Sequence, residues 1–238
     1  MTATKRLPVI ALLGKAQAGK DTVGQMLLDA RAPGVQAGAT AFAWKLKQIV
    51  GEMYVYGLDQ HDLYDDAGKE KPTAFDCLRC PSCGKFEASE FTNDHQKLAS
   101  CKLCGTVGDV NVFKSKWTPR TILQHIGTEG FRRIDPGVWV NYALRICEAQ
   151  VAEGAKFMVI TDCRFRSEAE GVWARGGEVW RIKRPAQGGN RGIANHASEV
   201  EQDGIKDSEC QAVIDNDSTL DVLRGRVLVQ YDRFNQKY

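Results

Sequence analysis

The stretch Gly14-Lys15-Ala16-Gln17-Ala18-Gly19-Lys20-Asp21-Thr22 constrains the fold more than any other part of the chain. It follows an apolar run, Leu7 to Leu13, and opens a helix-like segment, Asp21 to Ala30. Strand, glycine-rich loop and helix, in that order, form the setting of a phosphate-binding loop. Backbone N–H groups of such a loop point inward at a phosphate chain, and the positive end of the helix dipole reinforces them. Gly14 and Gly19 let the backbone come close, and Lys20 reaches the terminal phosphates. The spacing Gly-x4-Gly-Lys fits, but the next residue departs: Asp21 replaces the usual hydroxyl, and Thr22 follows one place later. Whether Thr22, Asp21 or water meets magnesium is left open by that departure. The competing reading is a glycine-rich turn before a helix.

The rest of the chain alternates strand-like and helix-like segments. Gly38 to Ala43 reads as a second short strand, followed by a helix from about Trp44 to Tyr56. Thr118-Pro119 is a helix start, with Thr as cap and Pro in the first turn, and Gly127 interrupts that segment. Asp135-Pro136 starts another helix, Phe157 to Thr161 is a compact strand ending at Asp162, and a short helix covers about Ser167 to Arg175. Gly177 to Lys183 and Ala212 to Asp215 read as strands around a Gly188 to Gly192 loop. Asp217 or Ser218 caps a final helix. This alternation predicts an α/β fold, a three-layer P-loop architecture with a mostly parallel sheet. Ligands then bind at the carboxyl ends of the strands, where Gly14 and Asp162 both stand.

Residues 72–113 break the pattern: few aliphatic residues, and four of the chain's eight cysteines in two CxxC pairs. Cys80-Pro-Ser-Cys83-Gly and Cys101-Lys-Leu-Cys104-Gly are matching knuckles, separated by seventeen residues, a spacing that suits a zinc ribbon with a hairpin between the pairs. Four thiolates close a tetrahedral site, so this zinc is expected to be structural. Cys77, three residues before Cys80, is an alternative ligand and His95 a weaker one; Cys147, Cys163 and Cys210 read as buried free thiols. The expected division is a P-loop α/β core, 1–71 with 114–238, and an inserted ribbon, 72–113.

A net charge of +2 argues against a nucleic-acid coat, and Lys85, Lys97 and Lys102 in the ribbon are offset by Glu87, Glu90 and Asp94. No run is apolar and long enough to span a bilayer. Met1 to Pro8 leads into a strand rather than a signal-peptide core, and paired cysteines suit a reduced, cytoplasmic compartment.

Cations cluster elsewhere. Arg120 and Gln124 share a helix face, and Gly127-Thr128 can offer an amide and a hydroxyl to a phosphate; a solvated basic helix is the competing reading, as it is for Lys47. Asp162 is followed at once by Arg164, Arg166 and Glu168, and can hold a magnesium-bound water or a substrate hydroxyl. Arg181, Lys183 and Arg184 end the next strand, Trp139 is either core or a stacking surface for a base, and His196-Ala-Ser-Glu199 could cap a helix or order the preceding loop.

At this point the chain resembles the phage-type deoxynucleoside monophosphate kinases of the P-loop nucleoside monophosphate kinase group. The resemblance lies in Gly19-Lys20-Asp21-Thr22, in Phe42-Ala43 with Leu46-Lys47, and in Leu123-Gln124 with Gly127-Thr128-Glu129. It continues through Trp139-Val140, Asp162-x-Arg164-Phe165 with Ser167-Glu168-Ala169-Glu170, Gly176-Gly177 with Arg181 and Arg184-Pro185, His196-Ala-Ser-Glu199 and Asn216-Asp217. It implies transfer of the ATP γ-phosphoryl to a deoxynucleoside monophosphate, in a host cytoplasm for a phage-encoded enzyme. By that match Gly14, Lys15, Gly19, Lys20, Asp21 and Thr22 hold ATP and Mg2+. Lys47, Arg120, Gly127, Thr128, Trp139, Asp162, Arg164 and Glu168 line the monophosphate site, with Lys20, Arg120, Asp162 and Arg164 nearest the transferred group. The ribbon in which Cys80, Cys83, Cys101 and Cys104 are expected, from their spacing, to hold a structural Zn2+ is a departure from that pattern, falling between Lys71 and Trp117 near the expected monophosphate-binding region as a lid or a partner surface. Trp44-Lys45 departs from the small acidic-proline pair expected there. Three further matters stay open: a kinase of another small phosphorylated acceptor, an ATP-dependent nucleic-acid-binding protein using the ribbon, and a homodimer.

Overall fold

The apolar run before Gly14 is a strand at the centre of a sheet, in a computed structural model that describes residues 6–54, 57–65, 67–86, 88–93, 96–185 and 201–238. The chain begins with β1 (Val9–Leu13), α1 (Lys20–Asp29), β2 (Ala37–Thr40) and α2 (Trp44–Met53). Short elements follow: β3 (Asp76–Leu78), β4 (Ala88–Asn93), β5 (Gln96–Cys101), β6 (Val107–Asp109), α3 (Val110–Phe113) and β7 (Lys114–Lys116). Next, α4 (Pro119–Gln124) runs into wide π-helical turns over His125–Arg132. The remainder is α5 (Val138–Ala152), β8 (Phe157–Cys163), α6 (Arg166–Ala174), β9 (Glu178–Lys183), β10 (Ala212–Asp215) and α7 (Leu220–Asn235). The Gly188 to Gly192 loop, His196 to Glu199, Glu87, Asp94 and His95 lie outside the described residues.

The chain divides into two compact units, Met1–Trp44 with Asp135–Tyr238 and Lys45–Ile134. The first unit holds a sheet of order β10-β9-β1-β8-β2, every neighbouring pair parallel. Parallel neighbours need crossover connections, and α1, α5 and α6 supply helical ones. All five residues of β1 are buried, as a central strand covered on both faces requires. On one face Ile10, Leu12, Val159, Trp180 and Ile182 meet Val23 and Leu27 of α1 and Leu223, Val227, Tyr231 and Phe234 of α7. From β1 the chain winds first towards β2 and β8, then reaches β9 and β10 on the other side, so the change of sense falls at the end of β1, at Gly14.

Several boundaries differ from the sequence expectation for identifiable reasons. The second strand stops at Thr40, because the amides of Phe42 and Ala43 are taken by the Asp162 carboxylate. Gly127 does not break its helix; the chain passes through it in π turns, and a Cβ there would stand 2.5 Å from Leu46 Cδ2. Asp135 does not cap α5 directly but closes a turn onto Gly137, and α5 starts at Val138. Thr219, not Asp217 or Ser218, caps α7, since Asp217 pairs with Arg226. Thr118 and Pro119 start α4 as expected.

The second unit contains the three-stranded antiparallel sheet β4-β5-β6 and the two-stranded pair β3-β7. Its cysteine-rich part has a small core of Cys80, Ala99, Cys101, Val110 and Phe113. Trp117 stacks on Phe86 with ring centroids 4.2 Å apart and tilts against His125. Among the described residues no helix is long and apolar enough to cross a membrane.

One buried charge secures the C-terminal helix within the first unit. The Glu178 carboxylate, 2% exposed, accepts from Trp180 Nε1 at 2.8 Å, Arg233 Nη2 at 2.8 Å and Lys237 Nζ at 3.0 Å. Glu178→Ala strands the buried indole N–H, and urea unfolding is expected to show a loss of about 2 kcal/mol. A variant as stable as the parent would mean that water reaches Trp180.

Candidate active site and metal centre

Local packing explains why the loop after β1 needs its glycines. Gly14 leaves β1 so close to β9 that a Cβ would lie 2.6 Å from the Ile182 carbonyl oxygen. Gly19 has φ +95°, a left-handed conformation that glycine adopts without strain, immediately before α1. Between them, Gln17 also has a positive φ of 61°. Lys20, the first residue of α1, is buried, and its ammonium donates to Gly14 O at 2.6 Å and Lys15 O at 2.9 Å. The chain thus curls around its own lysine at a helix N-terminus, where backbone N–H groups lack helical partners. Asp21 and Thr22 are exposed on the first turn of α1, and Lys15 is exposed and pairs with Asp203 at 3.2 Å.

The neighbouring strand ends beside this loop, since Leu13 is in register with Cys163. Asp162 spends both carboxylate oxygens on backbone: Oδ1 accepts from Phe42 N at 2.6 Å and Oδ2 from Ala43 N at 3.0 Å. Its visible work is to hold the segment that follows β2. Glu168, 2% exposed, plays a comparable part, as Oε2 accepts from the amides of Arg164 at 2.8 Å and Phe165 at 3.0 Å. The turn that presents the Arg164 side chain is thereby closed, and among the described residues no hydrogen bond or ion pair engages that guanidinium. Trp139 is buried in α5, whose next residue, Val140, packs so closely on Gly171 of α6 that a Cβ there would be 2.4 Å from Val140 Cγ1.

Other cations expected near phosphates are tied to residues 202–209. Arg166 forks onto both oxygens of Glu209 at 3.0 Å. Arg181 pairs with Asp207 at 3.0 Å and also donates to the carbonyls of Gln202 and Ile205. Lys183 pairs with the same Asp207. Arg184 donates to Gln17 O at 3.4 Å, on the loop itself.

Lys47, Arg120, Gly127 and Thr128 belong to the second unit. Arg120 is paired with Glu70, and Lys47 sits 5.0 Å from the centre of the Tyr64 ring. Gly127 is buried, Thr128 exposed. Sequence reading had no signal for Glu70, which is 50 residues from Arg120, nor for the amides of Phe42 and Ala43, which are 120 and 119 residues from Asp162.

The two CxxC pairs converge. All four sulfurs of Cys80, Cys83, Cys101 and Cys104 lie within 4.8 Å of one another, with Cys80–Cys104 and Cys83–Cys101 at 3.6 Å. Sulfurs around a tetrahedral zinc with Zn–S of about 2.3 Å would be about 3.8 Å apart, so the cluster fits that ion. Each knuckle has the same backbone: Gly84 N donates to Cys80 O and Gly105 N to Cys101 O, with φ of 70° and 72° at the two glycines. The thiols compete for charge. The Thr106 hydroxyl and amide bring Cys104 down to about 6. At Cys83 the Lys85 amide favours the thiolate, but desolvation and the sulfurs of Cys101, Cys104 and Cys80 outweigh it and push the thiol up to about 12. A divalent cation resolves that competition by stabilising every thiolate. Cys77 lies outside the cluster, on β3 opposite Ser115.

A family profile described as "Deoxynucleotide monophosphate kinase" matches residues 73–227. The matched stretch contains the cysteine cluster, Arg120, Asp162 and Arg164, whereas the Gly14–Thr22 loop precedes it. A protein of Acanthamoeba polyphaga mimivirus, provisionally described as a deoxynucleotide monophosphate kinase, is 29% identical over 154 residues, 58% of this chain and 76% of that protein. Among solved structures, dephospho-CoA kinase from Campylobacter jejuni aligns over 95% of this chain and 97% of its own, at a TM-score of 0.43 and 12% identity.

Cys83→Ser is expected to lose most of its zinc in atomic absorption, with Cys77→Ser retaining it. The reverse pattern would move the site onto Cys77.

Proposed function

Because the chain belongs to the deoxynucleotide monophosphate kinase family, we propose that it transfers the γ-phosphoryl group of ATP to a deoxynucleoside monophosphate, giving ADP and the deoxynucleoside diphosphate. The observation that carries this reading is the loop from Gly14 to Thr22. Its buried Lys20 ammonium rests on loop carbonyls at the end of a central parallel strand, beside the end of β8. Gly14, Lys15, Gly19, Lys20, Asp21 and Thr22 take the ATP phosphates in this reading. An acceptor phosphate oxygen attacks the γ-phosphorus in line, and the bond to the β–γ bridging oxygen breaks. Such transfer needs positioning and positive charge more than covalent chemistry. Lys20 and Arg164 supply charge to the equatorial oxygens, worth most where water is excluded.

Asp162 acts by holding Phe42 and Ala43 through its two hydrogen bonds. Glu168 holds the Arg164 turn. Lys47, Arg120, Gly127, Thr128 and Trp139 are assigned to the monophosphate, with Arg120 exchanging Glu70 for phosphate. Mg2+ would supply charge neutralisation to the phosphates, and the Thr22 hydroxyl and Asp21 carboxylate, exposed on the first turn of α1, are the oxygen donors that would hold it.

Residues 72–113 form an inserted ribbon whose zinc is structural, because four thiolates leave no open coordination position. Thiolate ligation suits a reduced compartment such as the cytoplasm. A kinase of another small phosphorylated acceptor would share the loop and differ in the acceptor residues alone.

An ADP-release assay with Mg-ATP and each deoxynucleoside monophosphate tests the proposal, with ribonucleotide and no-acceptor controls. Acceptor-dependent ADP and a matching diphosphate product are the expected result; ADP without acceptor, or none, would overturn it. Lys20→Ala is expected to lower turnover at least ~100-fold, the scale of removing one electrostatic donor from a transition state. Its folded signal in circular dichroism should persist, and near-normal turnover would remove Lys20 from the site.

A further inference from the structure

We propose that Asn216 is a positioning residue for the phosphate-binding loop, setting its affinity for ATP by orienting the Ala18–Gly19 peptide; this rests on the reading of that loop as the ATP phosphate site. Asn216 follows β10 directly, 198 residues from Ala18 in sequence. Its side-chain Nδ2 donates to Ala18 O at 2.9 Å. Only a donor can meet a carbonyl oxygen, which settles the orientation of the carboxamide. The Ala18 C=O and the Gly19 N–H belong to one planar trans peptide and point in opposite directions. Anchoring the oxygen on Asn216 therefore aims the Gly19 N–H away from Asn216, leaving that donor for a ligand.

The geometry of Gly19 agrees. A Cβ on Gly19 would lie 2.5 Å from Asn216 Nδ2, so the carboxamide occupies the space of the missing side chain. The left-handed φ of +95° at Gly19 and the anchored Ala18 carbonyl form one arrangement. Asn216 is itself braced from three directions. Its backbone N–H donates to Lys183 O at 2.6 Å on the adjoining strand. On either side of it, the Asp215 carbonyl and the Asp217 carboxylate, the latter at 2.6 Å, both accept from Arg226 Nη1 of α7. The loop thus has an outer wall, built from the end of β10 and held by the C-terminal helix. A mainly steric role would be filled as well by aspartate, which has the same shape. A donor role is not, because a carboxylate would set two oxygens face to face and place negative charge beside the loop.

The test compares Asn216→Ala, Asn216→Ser and Asn216→Asp with the parent. ATP binding is measured by calorimetry without acceptor, Michaelis constants for ATP and for the accepted monophosphate by ADP release, and melting temperature separately. Asn216→Ala is expected to weaken ATP binding about five-fold, the worth of one net hydrogen bond. Asn216→Ser, which keeps a short donor, should fall between alanine and parent, and isosteric Asn216→Asp should be weaker than alanine. The monophosphate constant should stay at its parental value, and the melting temperature should fall by no more than the few degrees that one lost hydrogen bond costs. Unchanged ATP binding in the alanine variant, an aspartate variant that binds better than alanine, or an equal rise in both Michaelis constants would overturn the inference alone. A parent protein without affinity for ATP would instead overturn the reading of the loop, and this inference with it.

Discussion

The pairing of β1 with parallel neighbours on both sides is the constraint from which the candidate site follows. With parallel strands on both sides β1 has no hairpin partner, so the chain leaves past the carboxyl end of the sheet and returns by a crossover. Parallel pairing then sets the ends of β8 and β9 beside that exit, because Leu13 is in register with Cys163 on one side and Arg181 on the other. The ends of three neighbouring strands, β8, β1 and β9, thus gather around that loop. The closeness of β9 also explains the composition of the loop, since the Ile182 carbonyl leaves no room for a Cβ at position 14.

Carboxylates in this unit do more to shape backbone than to offer free charge. Asp162 and Glu168 each accept two amide hydrogen bonds, and each fixes a turn whose neighbours carry candidate site residues. Glu178 does the same for side chains, gathering an indole and two cations under α7. Buried charge is tolerable on these terms, because the donors replace the lost water.

The parts of the molecule legible in sequence are those written in local periodicity or fixed spacing. The Gly-x4-Gly-Lys loop, the Thr118–Pro119 helix start, the compact β8 and the two cysteine knuckles are all local patterns, and the parallel sheet follows from their alternation. Partnerships between distant residues left no such trace. Nothing near Asp162 indicates that its oxygens will meet the amides of Phe42 and Ala43, and that pairing is what shortened the second strand. Nothing near Arg120 indicates Glu70, or near Arg181 and Lys183 that one carboxylate, Asp207, serves both. A cation read from sequence as available for phosphate can be already engaged once the chain has folded.

The two sides of the cysteine cluster differ. Cys80 and Cys101, the first members of the two pairs, are buried among Ala99, Val110 and Phe113, whereas Cys83 and Cys104 are exposed. Each knuckle therefore contributes one sheltered sulfur and one that solvent reaches. Peroxide, a competing soft metal or a small chelator would meet the outer pair first, and one from each knuckle, so a single disulfide between them would cross-link the knuckles while taking away half of the ligand set. The stability of this part of the chain is in that sense set by the thiol chemistry of its surroundings as much as by its small apolar core.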